Sequence, residues 1–120
     1  LLAVWQPRLG LTHWGDIPLY VRNFKDTTAA EIRWTKGYKG AAVSFSKKWI
    51  EAPERTYADF ETTLVHELIH LIFAEFDDAI ETGLGFGSVY DSYCEKREGL
   101  CDVFASLFIA RYARAKKVKR

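Results

Sequence analysis

The segment LVHELIHLIF, residues 64–73, decides how the chain is read. It is an apolar run of helix-forming character, broken only by His66, Glu67 and His70. Burying polar or ionisable side chains without partners costs on the order of 2 kcal/mol or more each, so these three residues need a common purpose. In a helix, residues i and i+4 stand one above the other with Cβ atoms about 6 Å apart. His66 and His70 therefore present two imidazoles at a spacing that chelates one metal ion. Glu67 lies about 100° around the helix from His66, where it can avoid the metal and reach a water beside it, the station of a general base. This is the HExxH pattern. With three His in 120 residues, composition alone gives roughly 0.004 chance occurrences, too few for coincidence to be the better account.

Working outward, Pro53 suits a first helical turn, Thr56 followed by Asp59 gives a capping-box start, and Tyr57, Phe60, Leu64, Leu68, Leu71 and Ile72 recur at helical spacing. These signals predict a helix from about 54 to 77. The glycine-rich stretch ETGLGFGSVYD (81–91) reads as a loop. Its GLGFGS core fits neither GxGxxG nor GxxxxGK[ST] and follows no strand, so it reads as a turn-former and not a phosphate cradle. Ser92 with Glu95 then opens a second helix through about 113, with Leu100, Val103, Phe104, Leu107 and Phe108 as its apolar face.

A catalytic zinc takes three protein ligands and leaves a fourth position open. The candidates for the third are Glu75, Asp77, Asp78, Glu81, Asp91, Glu95, Glu98 and Asp102, with His13 upstream. Glu98 is chosen on the helix geometry. It sits in the first turns of the second helix, and Asp102 shares its face, placed to accept a hydrogen bond from the outer nitrogen of a ligand histidine. Gly99 supports the choice, since a helix-interior glycine costs about 1 kcal/mol against Ala and a close approach of two helix backbones would account for it.

The first half of the chain reads as strands: IPLYVRNF (17–24), AEIRWTK (30–36) and AAVSFSKKW (41–49), separated by KDTT and by GYKG, with a hairpin near 37–40. The predicted class is α+β, a small, mostly antiparallel N-terminal sheet packed on two main helices. A composition 48% apolar and 15% aromatic supplies one compact core, and residues 1–120 read as one domain. No window of about 18 uncharged apolar residues occurs, so no membrane partner is expected. The absence of Met suggests a processed or trimmed chain. Six of the 17 Lys and Arg residues fall in the last ten positions, which hold no acid. This tail reads as a solvated helix end whose charges suit the C-terminal dipole, and a nucleic-acid partner is not expected from it. Cys94 and Cys101, about two helical turns or ~10 Å apart, lie beyond disulfide span. They read as plain, half-buried thiols suited to a reducing compartment.

His66-Glu67-Leu68-Ile69-His70 together with Glu98-Gly99-Leu100-Cys101-Asp102 resembles the HExxH and ExxxD motifs of the zincin metallopeptidases, specifically the gluzincin branch. EGLCDVFA (98–105) is also similar to the ExxANxFA segment of small phage- and plasmid-associated peptidases, with Cys101 and Asp102 in place of Ala and Asn. The resemblance spans roughly 40–108. It implies a zincin-like fold with one zinc bound by His66, His70 and Glu98. It further implies Glu67 as general base and proton shuttle, Asp102 as the partner of His66, and AAVSFSKKW as the edge strand that pairs with extended peptides. The activity implied is zinc-dependent endopeptidase, acting on a peptide or protein substrate. The competing expectation is a catalytically weak zincin-fold domain with a structural or binding role in a virion or regulatory assembly. Tyr90, Tyr93, Tyr112 and His13 are the candidates for the group that stabilises the oxyanion.

Overall fold

The structure is a computed structural model. It describes the backbone of residues 1–35, 40–84 and 88–118, and the side chains of these except 75, 76, 78–84, 88–90 and 114–118. It is mixed α+β. Helix α1 (Leu2–Arg8) and a 3-10 turn (Thr12–Trp14) precede strands β1 (Leu19–Arg22), β2 (Ala30–Trp34) and β3 (Ala41–Ser46). The short helix α2 (Lys47–Ile50) follows, then the long helices α3 (Tyr57–Leu84) and α4 (Ser88–Val118).

All three strands lie within the segments expected for them, but their order is β1-β3-β2. β3 pairs antiparallel with β2, with Ile32 opposite Val43, and parallel with β1, with Val21 opposite Phe45. The sheet is therefore mixed and not mostly antiparallel. The glycines around 37–40 specify only a neighbour in sequence, and they join β2 to β3. The tip of that hairpin, residues 36–39, falls outside the described residues, although the Thr35 amide donates to the Gly40 carbonyl at its base. Before β2, the Asp26 carboxylate accepts from the Thr28 amide at 3.0 Å, a local turn that sends the chain past β3 instead of closing a hairpin on β1. β3 takes the centre because Ala41, Val43 and Phe45 are buried along with Ser44 and Ser46, so it is no edge strand. β2 is one edge and β1, exposed along its length, is the other. After Ser46 the chain turns helical instead of extending to 49, and the Ser46 hydroxyl accepts from the Trp49 amide to start α2.

The Thr56–Asp59 start forms a reciprocal capping box. The Thr56 amide donates to the Asp59 carboxylate at 3.0 Å and the Asp59 amide to the Thr56 hydroxyl at 3.1 Å. Leu64, Val65, Leu68, Ile69, Leu71 and Ala74 bury one face of α3 in the core, while Tyr57 and Ile72 are exposed. α3 continues to Leu84 and α4 begins at Ser88. Most of the expected loop is thus helix, and only 85–87 lies outside the described residues. The Ser92–Glu95 spacing is equally that of an i,i+3 pair inside a helix, which is where the structure puts it.

α4 runs antiparallel to α3, as the pairs His66–Asp102 and Asp77–Tyr93 require. Its rotation differs from expectation. Cys101 and Ala105 are fully buried, with Phe108, Ile109 and Tyr112 packed around the core, while Leu100, Val103, Phe104 and Leu107 are exposed. Turning Glu98 and Asp102 toward His66 carries those apolar residues outward. Gly99 is not a close-approach glycine, because a Cβ there would meet nothing within 4 Å. At the N-terminus, Trp5 fills the core and its indole donates to Glu61 at 2.8 Å, fastening α1 to α3. α1 was not foreseen, since the opening LLAVWQPR is too short to show a helical period. Among the described residues, no helix is long and apolar enough to cross a membrane.

Candidate metal centre

α3 delivers His66 and His70 to one side, their ring centroids 5.1 Å apart. α4 brings Glu98 between them. Its Oε2 lies 3.3 Å from His66 Nε2 and its Oε1 lies 3.2 Å from His70 Nε2. The three ligand atoms fall within 4.8 Å of one another. Zinc bound tetrahedrally at 2.0–2.2 Å separates its ligand atoms by about 3.4 Å, so the two imidazole–carboxylate spacings already match a shared ion. Asp102 Oδ1 lies 2.7 Å from His66 Nδ1, which assigns the ring proton to Nδ1. His66 Nε2 then faces a carboxylate oxygen at 3.3 Å. Burial, with the His66 and Arg97 charges adding to it, keeps the His70 imidazole below its ordinary pKa against the pull of Glu98. A neutral imidazole is what a metal requires.

Glu67 is buried, 7% exposed. Burial first, then the Glu98 and Glu31 carboxylates, push its pKa up to about 8, while a hydrogen bond from the Ile32 amide works the other way. That amide is free to donate because of the strand register. With Ser46 donating to Ala29 and Thr35 to Gly40, Glu31 and Arg33 turn their peptide groups to β3, and Ala30, Ile32 and Trp34 turn theirs outward. An open cleft of about 390 Å³ runs along this edge, lined by Ala30, Ile32 and Trp34 on one side and Glu67, His70, Arg97 and Glu98 on the other. The strand beside the site is thus β2, and not the AAVSFSKKW segment.

Of the other candidate ligands, Asp77 is buried and engaged elsewhere. It accepts from the Tyr93 hydroxyl at 2.6 Å and from Arg97 Nη1 at 2.9 Å. Asp91 and Glu95 are exposed on α4 and join no metal cluster among the described residues. The Glu75, Asp78 and Glu81 side chains lie outside the described residues. The oxyanion candidates fare no better. Burial and the Asp77 hydrogen bond raise the Tyr93 phenol well above its usual pKa. Tyr112 packs edge-on against Trp5 with the Arg8 guanidinium 4.2 Å from its ring. His13 lines a different cavity with Trp14 and Leu71, and the Tyr90 side chain lies outside the described residues. Cys101 is fully buried, and burial pushes its thiol up to about 12, the signature of a packing residue and not a ligand. The Asp77–Arg97–Tyr93 cluster escaped the sequence reading. Asp77 enters that reading only as a candidate ligand, and its partners lie 16 and 20 residues away.

Comparison of the chain with family models, with curated proteins and with solved structures finds no match.

Proposed function

We propose that the chain is a zinc-dependent metalloendopeptidase of zincin type, with His66, His70 and Glu98 as the metal ligands. The observation that carries this reading is the set of two imidazole nitrogens and a carboxylate oxygen within 4.8 Å, with Asp102 on His66 Nδ1 so that Nε2 points into the set. Zinc bound there would act as a Lewis acid on a peptide carbonyl and lower the pKa of water toward about 7. The chain's own residues supply the rest. Glu67 takes the proton of the attacking water and returns it to the leaving amine. Glu67 is buried on the cleft wall with His70 and Glu98, where a base would meet that water. β2 offers the outward peptide groups of Ala30 and Trp34 to an extended substrate, which lies along the cleft as an added strand.

Two measurements test this. Protein purified without chelator should carry near one zinc per chain by elemental analysis. Glu67→Gln should keep that zinc and lose peptide hydrolysis, whereas unchanged hydrolysis would remove Glu67 from the mechanism. The competing reading, a zincin-fold domain that keeps its metal for binding, is favoured by one feature: no tyrosine lines the cleft among the described residues. Full zinc occupancy in a wild type that hydrolyses no peptide would select it.

A further inference from the structure

Arg97 stands on the cleft wall beside Glu98, and its surroundings fix it there. Its Nη1 donates to Asp77 Oδ2 at 2.9 Å, and Asp77, itself 6% exposed, is held in turn by the Tyr93 hydroxyl. This anchor occupies one end of the guanidinium fork. Nη2 lies 4.0 Å from Glu98 Oε1, the oxygen that faces His70, close to the candidate centre but beyond hydrogen-bond distance. Nε is buried and makes no hydrogen bond to any described residue, so the donor capacity left for a ligand is that of Nη2. A guanidinium carries five donors in a rigid plane, so an arginine clamped at one end, with donor capacity left over next to a metal site, is preorganised for an anion and not consumed by a salt bridge. Among the described residues, the other charged side chains on this cleft, Glu31, Glu67 and Glu98, are all acidic.

We propose that Arg97 is the oxyanion-binding residue of this centre, donating to the anionic oxygen of a ligand held at the His66, His70 and Glu98 set. For a peptide, that oxygen is the scissile carbonyl oxygen as the carbon becomes tetrahedral, the role for which no tyrosine or further histidine stands on the cleft among the described residues. Asp77 and Tyr93 are positioning residues, which act through Arg97. The inference rests on the metal-site reading above.

The test is ligand binding to zinc-loaded full-length chain by calorimetry, with acetohydroxamate as the anionic probe and imidazole as a neutral one that needs only the metal. Arg97→Met should weaken acetohydroxamate by roughly 10-fold to 100-fold, the worth of one charge-assisted hydrogen bond, and leave imidazole unchanged. Arg97→Lys keeps a cation for Asp77 and secures the fold. It should still lose most of the anion affinity, because a single ammonium does not reproduce the fork. Equal acetohydroxamate affinity in wild type and both variants overturns the assignment while leaving the metal site standing, and so does parallel loss of both probes, which marks a structural role. A wild-type chain that takes up no zinc overturns the metal-site reading and this assignment together.

Discussion

His66 Nδ1 and Asp102 Oδ1 approach to 2.7 Å across the α3–α4 interface, and this contact fixes which nitrogen of His66 faces Glu98. Asp102 is 76% exposed in its side chain, so water can take over part of its hydrogen bond when it is removed. Asp102→Ala should therefore cost zinc affinity at the low end of the usual range for such partners, about tenfold. Competition with a chromophoric chelator measures it, and an unchanged constant would mean that Asp102 does not orient the ring.

Metal removal should register as a change in stability. Glu98 approaches both imidazoles only in the folded chain, so zinc binding favours the native state by mass action. The thermal midpoint should rise with free zinc and fall on adding chelator. Glu98→Ala should flatten that dependence, because two histidines without a carboxylate make a weak site. Scanning calorimetry at several zinc concentrations would check it, and the same zinc response in the variant would exclude Glu98 as a ligand.

Much of this site was legible in the sequence because helical spacing is rigid. Once HExxH sits on a helix, the positions of His66, Glu67 and His70 follow from 3.6 residues per turn, and ExxxD places Glu98 and Asp102 on one face in the same way. Strand order was not legible. The chemistry that makes β3 central is its burial on both faces, a property of what packs around it, while turn residues report only on neighbours in sequence. The rotation of α4 was missed for a related reason. Its apolar residues occupy more than one face, so periodicity selected Leu100, Val103 and Leu107, yet the carboxylates turned toward His66 put Cys101 and Ala105 in the core instead. Asp77 was visible only as a candidate ligand. Its partners Tyr93 and Arg97 lie 16 and 20 residues away, a separation that only the folded helix pair closes.

That buried cluster makes a stability prediction. Asp77→Asn removes the charge facing Arg97 while nearly preserving shape. The guanidinium, 17% exposed in its side chain, is then left without its anionic partner. The expected loss is about 3 kcal/mol, toward the lower end of values for breaking a buried pair because Arg97 keeps some access to water. Urea titration should show a lower midpoint with an unchanged slope. Tyr93→Phe, which removes only a neutral donor, should cost about 1 kcal/mol.

The pH dependence of the metal-free chain should carry the mark of Glu67. Its folded pKa of about 8 lies above the ordinary 4.5, so between those values the folded state holds a proton that the unfolded state has released. Stability then falls as pH rises through this window, by at most about 1.4 kcal/mol per pH unit. Above about pH 8 the slope from this group ends. His70 acts in the opposite sense and lower down. Its folded pKa lies below 6.5, so the unfolded chain gains the proton first, and stability falls as pH drops below that value. Denaturation of metal-free protein from pH 5 to 9 should therefore show a decline on the alkaline side that Glu67→Gln abolishes, with the acid limb retained. If the alkaline decline persists in the variant, Glu67 is ionised in the folded chain at neutral pH and its burial does not raise its proton affinity.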